Sequence, residues 1–286
     1  MGQYPETDDK DFFLAPDRTT FLDLVENLNR ALNDEIISGV YVKLKSPRLG
    51  WAQIKELRNL FYEFRKKGKA VIFYLGQLPG NGSYYLASSG NKIAMRRVDD
   101  LVITGLLGEV TYYKGTLDKL EIEAEVYGAG KYKSAADILT RDSISQYHSV
   151  AVNKLLDDIY DQYVHDLAKD RGFSTDSMLT LIDNAPHVSE EALAAGLVDT
   201  VLYQDQISDW QKSVFGISNS ISFAEYSARK PYRQRWGMPP HIAVIPVEGM
   251  LMSGSSGEIP FYGKTVGSRD LAGAIKYARK NGHIKA

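Results

Sequence analysis

Ile37-Ser-Gly-Val-Tyr-Val-Lys-Leu44, a helical stretch over residues 50–67, and Ala70-Val-Ile-Phe-Tyr-Leu75 decide the fold. The two flanking runs are short and almost continuously apolar, the pattern of strands covered on both faces. Between them Trp51, Ile54, Leu57, Leu60, Phe61 and Phe64 recur at helical spacing with charges on the opposite side. Gly68 stands where a helix turns off into the left-handed region. Strand, helix and strand in that order predict parallel pairing through a right-handed crossover, hence an α/β fold with helices packed outside a parallel sheet.

Working outward, residues 17–33 read as a helix, with caps at Asp17, Thr19 and Thr20 and a stripe of Leu24, Leu28, Ala31 and Leu32. After the second strand, the turn Leu78-Pro-Gly-Asn-Gly-Ser83 leads into a short helix, Tyr84-Tyr-Leu-Ala-Ser88. Further strands are expected at Lys92–Met95 and Leu101–Thr104, a helix over 111–120, and an extended segment over 122–127. Residues 144–171 predict a long amphipathic helix through Tyr147, Val150, Leu155, Ile159, Tyr163 and Leu167, stopped at Gly172. The first unit closes near Val201 or Tyr203, residues 205–215 read as a short helix, and Ser227 to Pro240 as a linker. The organisation expected is therefore 1–204, a helix and linker over 205–240, and a further unit over 241–286.

That last unit opens with a strand, His241-Ile-Ala-Val-Ile-Pro-Val247, followed by a Gly/Ser loop and a helix from about Ser268. It repeats the start of the chain. Asp23, Leu24, Leu28, Ala31, Ile37 and Gly39 correspond to Asp270, Leu271, Ile275, Ala278, Ile284 and Ala286 at a constant offset of 247 residues. In the first copy a core strand follows at once. In the second the sequence stops there, which would orphan apolar surface and backbone groups. A fragment of a longer tandem protein, cut within its second repeat, is expected.

Composition narrows the function. The 286 residues are 44% hydrophobic with a formal net charge of -2, so no broad basic field argues for nucleic acid. The absence of cysteine excludes disulfides and thiolate chemistry. His148, His165, His187, His241 and His283 show no tight ligand spacing, so neither a metal nor another cofactor is expected. Asp157, Asp158 and Asp161 read as a solvated helix face. Asp142, Ser143 and His148 are too close in sequence for a triad, which draws on separate elements. No apolar run approaches the roughly 18 residues of a membrane span, and the polar Met1–Lys10 reads as neither signal peptide nor anchor.

Four stretches carry a resemblance: Gly39-Val-Tyr-Val-Lys-Leu44 with Trp51-Ala-Gln-Ile-Lys-Glu-Leu-Arg58; Tyr84-Tyr-Leu-Ala-Ser88 with Lys92-Ile93; Tyr112-Tyr-Lys-Gly115 and Asp118-Lys-Leu120 with Gly130-Lys-Tyr-Lys-Ser-Ala135; and Glu190-Glu-Ala-Leu-Ala-Ala-Gly-Leu-Val-Asp199. Together they resemble the first half, plus the start of the second, of the long-form signal peptide peptidase A (protease IV) family. The resemblance implies a Clp/crotonase-like fold and a serine endopeptidase with a Ser/Lys dyad. The first half would give the general-base lysine and the second the serine and oxyanion donors. It further implies cleaved signal peptides and other apolar peptides as substrates, a homotetramer, and association with the cell membrane on its periplasmic or extracytoplasmic side.

A lysine takes a serine's proton only when neutral, so the base belongs where apolar packing or positive neighbours disfavour its charge. Gly128, Ala129 and Gly130 allow close backbone approach, and Tyr132, Ala135 and Ala136 would surround such a lysine with apolar atoms. Composition alone leaves Lys131 and Lys133 open. The resemblance places the base at Lys133, with Ser134 either bonding near it or capping the next helix. The family's nucleophile position falls on Asn81 in Gly80-Asn-Gly-Ser-Tyr-Tyr85; Ser83 would cap, and Ser88 and Ser89 would pack or face solvent. Ser46-Pro47-Arg48-Leu49 stands where the active half has Ser-Pro-Gly-Gly, so paired oxyanion N–H donors are not expected. The same lack disfavours an acyl-CoA enzyme of the crotonase type. The reading is a peptidase whose serine lies outside this chain; the alternative is a catalytically silent interaction module of the same fold.

Overall fold

The computed structural model describes residues 20–45, 49–216, 219–229, 241–259 and 263–285. Among the described residues the chain divides into two compact units, one over Leu28–Asn219 and one comprising Ser220 onward with residues 20–27.

Helix α1 spans Phe21–Asn33. Of its expected caps, Asp17 and Thr19 lie outside the described residues. Thr20 forms a reciprocal box with Asp23: the Thr20 amide donates to Asp23 Oδ2 at 2.9 Å, and the Asp23 amide to Thr20 Oγ1 at 3.0 Å. Strand β1 (Gly39–Leu44), helix α2 (Trp51–Lys66) and strand β2 (Ala70–Leu75) follow as predicted. The two strands pair in parallel with Gly39 opposite Ala70 and Leu44 opposite Leu75. Helix α3 (Asn81–Ser88) leads to β3 (Lys92–Arg96), which pairs in parallel with β2. These three strands, with Thr200–Leu202 beside β3, form a four-stranded sheet that is parallel throughout. Strand β1 is only half buried, where the sequence predicts a fully buried one, because it forms the sheet's edge. Strand β2, enclosed on both sides, is buried from Val71 onward.

The core lies where Ile54, Leu57, Phe61 and Phe64 of α2 meet β2; Phe61 and Phe73 pack edge to face at 5.3 Å between centroids. Beyond β3 the expected strand at 101–104 is a two-residue pair, β4 (Asp100–Leu101). Helices α4 (Lys114–Lys119) and α5 (Asp137–Thr140) punctuate an otherwise irregular stretch, and no strand forms over 122–127. Helix α6 (Gln146–Arg171) starts at an N-capping Ser145 and ends at Gly172, φ 74°. Its stripe is buried only from Tyr163; Val150 and Leu155 are exposed because the first half of the helix runs beyond the sheet's core.

Helix α7 (Thr175–Asp183), strand β5 (His187–Val188), helix α8 (Ser189–Ala194) and strand β6 (Thr200–Leu202) close the sheet. Strand β5 runs antiparallel to β4, while β6 pairs in parallel with β3. The segment Glu190–Asp199 works as a clasp. Asp199 accepts from the Ile93 amide at 2.8 Å and from Arg171 at 3.1 Å, and Tyr84 donates to the Leu197 carbonyl at 2.7 Å. Helix α9 (Ile207–Phe215) belongs to this unit, its Ile207 packing with Tyr74 and Ala94.

Arg58 breaks the pattern of α2: it lies on the apolar face and is fully buried. It donates to Ser88 Oγ at 2.7 Å, Tyr62 OH at 2.8 Å, Asp170 Oδ2 at 2.7 Å and the Tyr85 carbonyl. Tyr62 and Ser88 also donate to Asp170, at 2.7 and 2.8 Å. Beside this group Asp166 accepts from Lys55 and Tyr85. Burial alone would push the Asp166 carboxyl up, but the bonds from Lys55 and Tyr85 and the Arg58 charge hold it below the ordinary 3.8. The folded chain thus binds this proton less tightly than the unfolded one. The carboxylate contributes stability above pH 3.8 and loses it as pH falls through the lower folded value. Urea unfolding followed from about pH 6 down to about pH 3 is expected to show an acid limb that Asp166→Asn makes shallower; an unchanged limb would contradict this assignment.

In the second unit, α10 (Phe223–Ala228) is capped by Ser222. Strands β7 (Met250–Met252), β8 (Gly257–Ile259) and β9 (Gly263–Gly267) form a small sheet, and α11 spans Ser268–Lys280. The strand predicted over 241–247 does not form; His241 makes a single bridge to Ile284, and residues 242–247 pair with no strand among the described residues. Lys230–Pro240, most of the predicted linker, lies outside the described residues. The 247-residue offset carries α1 onto α11 end to end, Phe21 onto Ser268 and Asn33 onto Lys280.

Candidate active site

The residues singled out from the sequence fall in two places, the turn between β2 and α3 and the long excursion between β4 and α6. The turn is wound tightly. Gln77 and Leu78 both adopt positive φ, 61° and 56°, which costs a non-glycine residue about 1 kcal/mol each. Tertiary bonds hold them there: the Gln77 amide donates to Asp99 Oδ2 at 2.8 Å, and the Val102 amide to the Pro79 carbonyl at 2.9 Å. Asn81 then begins α3. Its Oδ1 accepts from the Thr104 amide at 2.7 Å and from Tyr163 OH at 3.3 Å, and its Nδ2 donates to the Gly105 carbonyl at 3.3 Å. No hydroxyl stands at the first position of this helix.

The serines considered from the sequence are committed elsewhere. Ser83 does not cap: the N-cap is Gly80, and Ser83 is buried within α3. Ser88 belongs to the Arg58 group, and Ser89 donates to the Leu86 carbonyl at 2.7 Å. Residues 46–48, where oxyanion donors were sought, lie outside the described residues.

The excursion leaves the sheet at Gly105 and returns through α6. Gly108 passes Leu156 and Val152, and the Tyr113 amide donates to the Ile138 carbonyl at 2.7 Å, closing the arm on itself. Lys131 Nζ lies 5.5 Å from the Tyr147 ring centroid, and Tyr132 packs edge to face on the same ring at 5.4 Å. Lys133 follows in a turn, its amide bonded to the Gly130 carbonyl at 3.1 Å with Gly130 at φ 105°. Lys133 is exposed, and so is Tyr132, at 63%. The apolar enclosure expected around Lys133 is thus not made by this arm, because the arm stands off the core that could supply it. Ser134 does not cap α5, whose N-cap is Ala136. Leu107 and Tyr127 are 90% and 93% exposed, and Leu120, Ile122, Val150 and Leu155 are open as well. Among the described residues no group of three or more histidine, aspartate or glutamate side chains is arranged to hold a metal ion.

Sequence reasoning singled out Asn81 and the stretch Gly128–Ala136 but missed the Arg58–Asp170 group. The signal was present: a lone arginine on the apolar face of α2, between Leu57 and Phe61.

The region with this tight turn and this arm is also where the chain matches a known family. The profile described as peptidase family S49 covers residues 63–217, more than half of the 286 residues. The chain belongs to peptidase family S49. The parallel sheet with helices in its crossovers agrees with the Clp/crotonase-like fold of an S49 protein. This S49 chain is 27% identical over 269 residues to "Serine protease SPPA, chloroplastic" of Arabidopsis thaliana, covering 92% of the chain and 39% of that protein. It is 29% identical to "Protease 4" of Salmonella typhi, covering 93% of the chain and 44% of the relative. "Protease 4" of Haemophilus influenzae is 26% identical, with 95% and 46% covered. The S49 chain therefore spans less than half the length of each of these relatives.

Proposed function

We propose that this chain is the base-bearing half of a serine endopeptidase of the signal peptide peptidase type. Lys133 takes the proton of a serine carried by a second half, and that serine attacks the peptide carbonyl. The observation that carries the reading is the division between the two places just described. At the turn, the first residue of α3 is an asparagine whose amide is engaged on three sides. On the arm, a lysine stands uncovered among open apolar side chains. A lysine base needs water excluded from it, and a second half seated on the arm would do so.

Lys131 is the weaker choice because its ammonium group is occupied over Tyr147. The matching extents of α1 and α11 at one sequence offset support a tandem protein whose second repeat begins in the second unit. On this reading the substrates are cleaved signal peptides and other apolar peptides, and the complete protein is a homotetramer. It works at the extracytoplasmic face of the membrane; among the described residues no helix is long and apolar enough to cross one. The exposure of Leu107 and Tyr127 equally fits a second reading, a silent interaction module.

Hydrolysis of an apolar fluorogenic peptide separates these. The chain by itself is expected to be silent, and the chain joined to a serine-bearing half to hydrolyse the peptide in a manner blocked by a serine-directed inhibitor. Silence of the joined protein would favour the module. Inhibitor-sensitive hydrolysis by this chain alone would overturn the division of labour and direct attention to Ser83.

A further inference from the structure

We infer that Asn81 is a positioning residue: it ties both roots of the Lys133-bearing arm to the sheet and so sets where the base stands. The inference rests on the reading of Lys133 as base. The arm leaves the folded body at Thr104–Gly105 and returns through α6, and Asn81 bonds to both. Its Oδ1 takes the Thr104 amide at 2.7 Å, just before the chain departs. Its Nδ2 reaches the carbonyl of Gly105, the first residue beyond. The same Oδ1 takes the hydroxyl of Tyr163 on α6, along whose exposed half the arm lies, with Gly108 beside Val152 and Leu156 and Tyr132 against Tyr147.

Each partner is itself held. Tyr163 is fully buried, its ring 5.8 Å from Trp51 and 5.5 Å from Tyr85 between centroids. Burial pushes its hydroxyl far above the ordinary tyrosine range, so it remains a donor at any working pH. On the other side, the positive-φ pair at Gln77–Leu78 and the Gly80–Val102 bridge fix where Asn81 begins α3. An asparagine suits the post because its amide supplies an acceptor and a donor on one short side chain. A serine there offers a single hydroxyl, too short to span Thr104, Gly105 and Tyr163 together.

Two measurements test this. The first is amide exchange in the chain itself. Asn81→Ala is expected to speed exchange at Thr104 by about tenfold, the scale of one lost hydrogen bond, and to loosen residues 105–145 while amides of β2 keep their protection. Asn81→Asp, which retains the Oδ1 acceptor, is expected to restore most of the Thr104 protection. Unchanged exchange at Thr104, or a uniform rise that includes β2, would overturn the clamp. The second is kinetic, in the joined protein. Asn81→Ala is expected to lower kcat by about tenfold with KM nearly unchanged, since a displaced base slows proton transfer without altering substrate binding. A rise in KM alone, or an unaltered kcat in the presence of faster Thr104 exchange, would overturn the positioning role. A joined protein in which Lys133→Ala stays active would refute the base itself, while the exchange measurement still decides the clamp.

Discussion

Replacing Lys133 with alanine in the joined, serine-containing protein is expected to reduce hydrolysis of an apolar peptide by at least about 10³-fold while leaving the unfolding transition unmoved. The two halves of that expectation come from different observations. Loss of activity follows from the chemistry: an alcohol attacks a peptide carbonyl slowly unless a neighbour takes its proton, and alanine removes the only atom at that position able to do so. Preserved stability follows from the structure. Lys133 is exposed on an arm outside the sheet, and substitutions at such positions usually shift stability by no more than about 0.5 kcal/mol. Lys131→Ala is the control. It removes a charge two residues away but also a contact with Tyr147, and a modest loss of rate with the transition intact is expected. An active Lys133→Ala protein, or a Lys131→Ala protein as dead as Lys133→Ala, would sink the assignment.

The opposite balance is expected at Asp170. Asp170→Ala should destabilise the chain by about 3 kcal/mol, because it takes from buried Arg58 the carboxylate at 2.7 Å and leaves it only Asp166, at 3.8 Å and already bonded to Lys55 and Tyr85. The guanidinium has no exposed surface into which to retreat, and Tyr62 and Ser88 lose their common acceptor in the same step. Against a total stability of about 5–15 kcal/mol, such a loss is a large fraction of the whole. Urea unfolding of the chain measures it. Replacing the pair together, Arg58→Met with Asp170→Leu, should recover much of the loss, since what is costly is an unmatched buried charge and not the absence of the pair. A single-mutant loss below about 1 kcal/mol would show that water reaches Arg58 when its partner goes.

The sheet was legible because its signals are local. Apolar runs at 39–44 and 70–75, one helical stripe and a terminal glycine sufficed to place β1, α2 and β2 with their parallel pairing. Reading failed where the outcome depends on something distant. The stripe on α6 predicted burial along the whole helix, yet nothing in Tyr147 or Leu155 says that the sheet ends before reaching them. The apolar run at 242–247 has strand composition but pairs with no neighbour among the described residues, and a strand exists only through its partner. At the candidate site, Asn81 marked itself by standing where a serine was sought. Its bonds to Thr104 and Tyr163 join residues 23 and 82 positions away, beyond any local pattern.

The arm's separation from the sheet has a bearing on how such a protein can change over time. The cluster around Arg58 and the clasp around Asp199 are built from residues before Gly105 and after Tyr163, so the folded body closes without consulting what lies between. Lengthening a flexible connection costs only about 0.6 kcal/mol per doubling. The segment bearing the lysine can therefore be lengthened, shortened or reshaped to suit whatever surface meets it, while the body that carries it stays as it was.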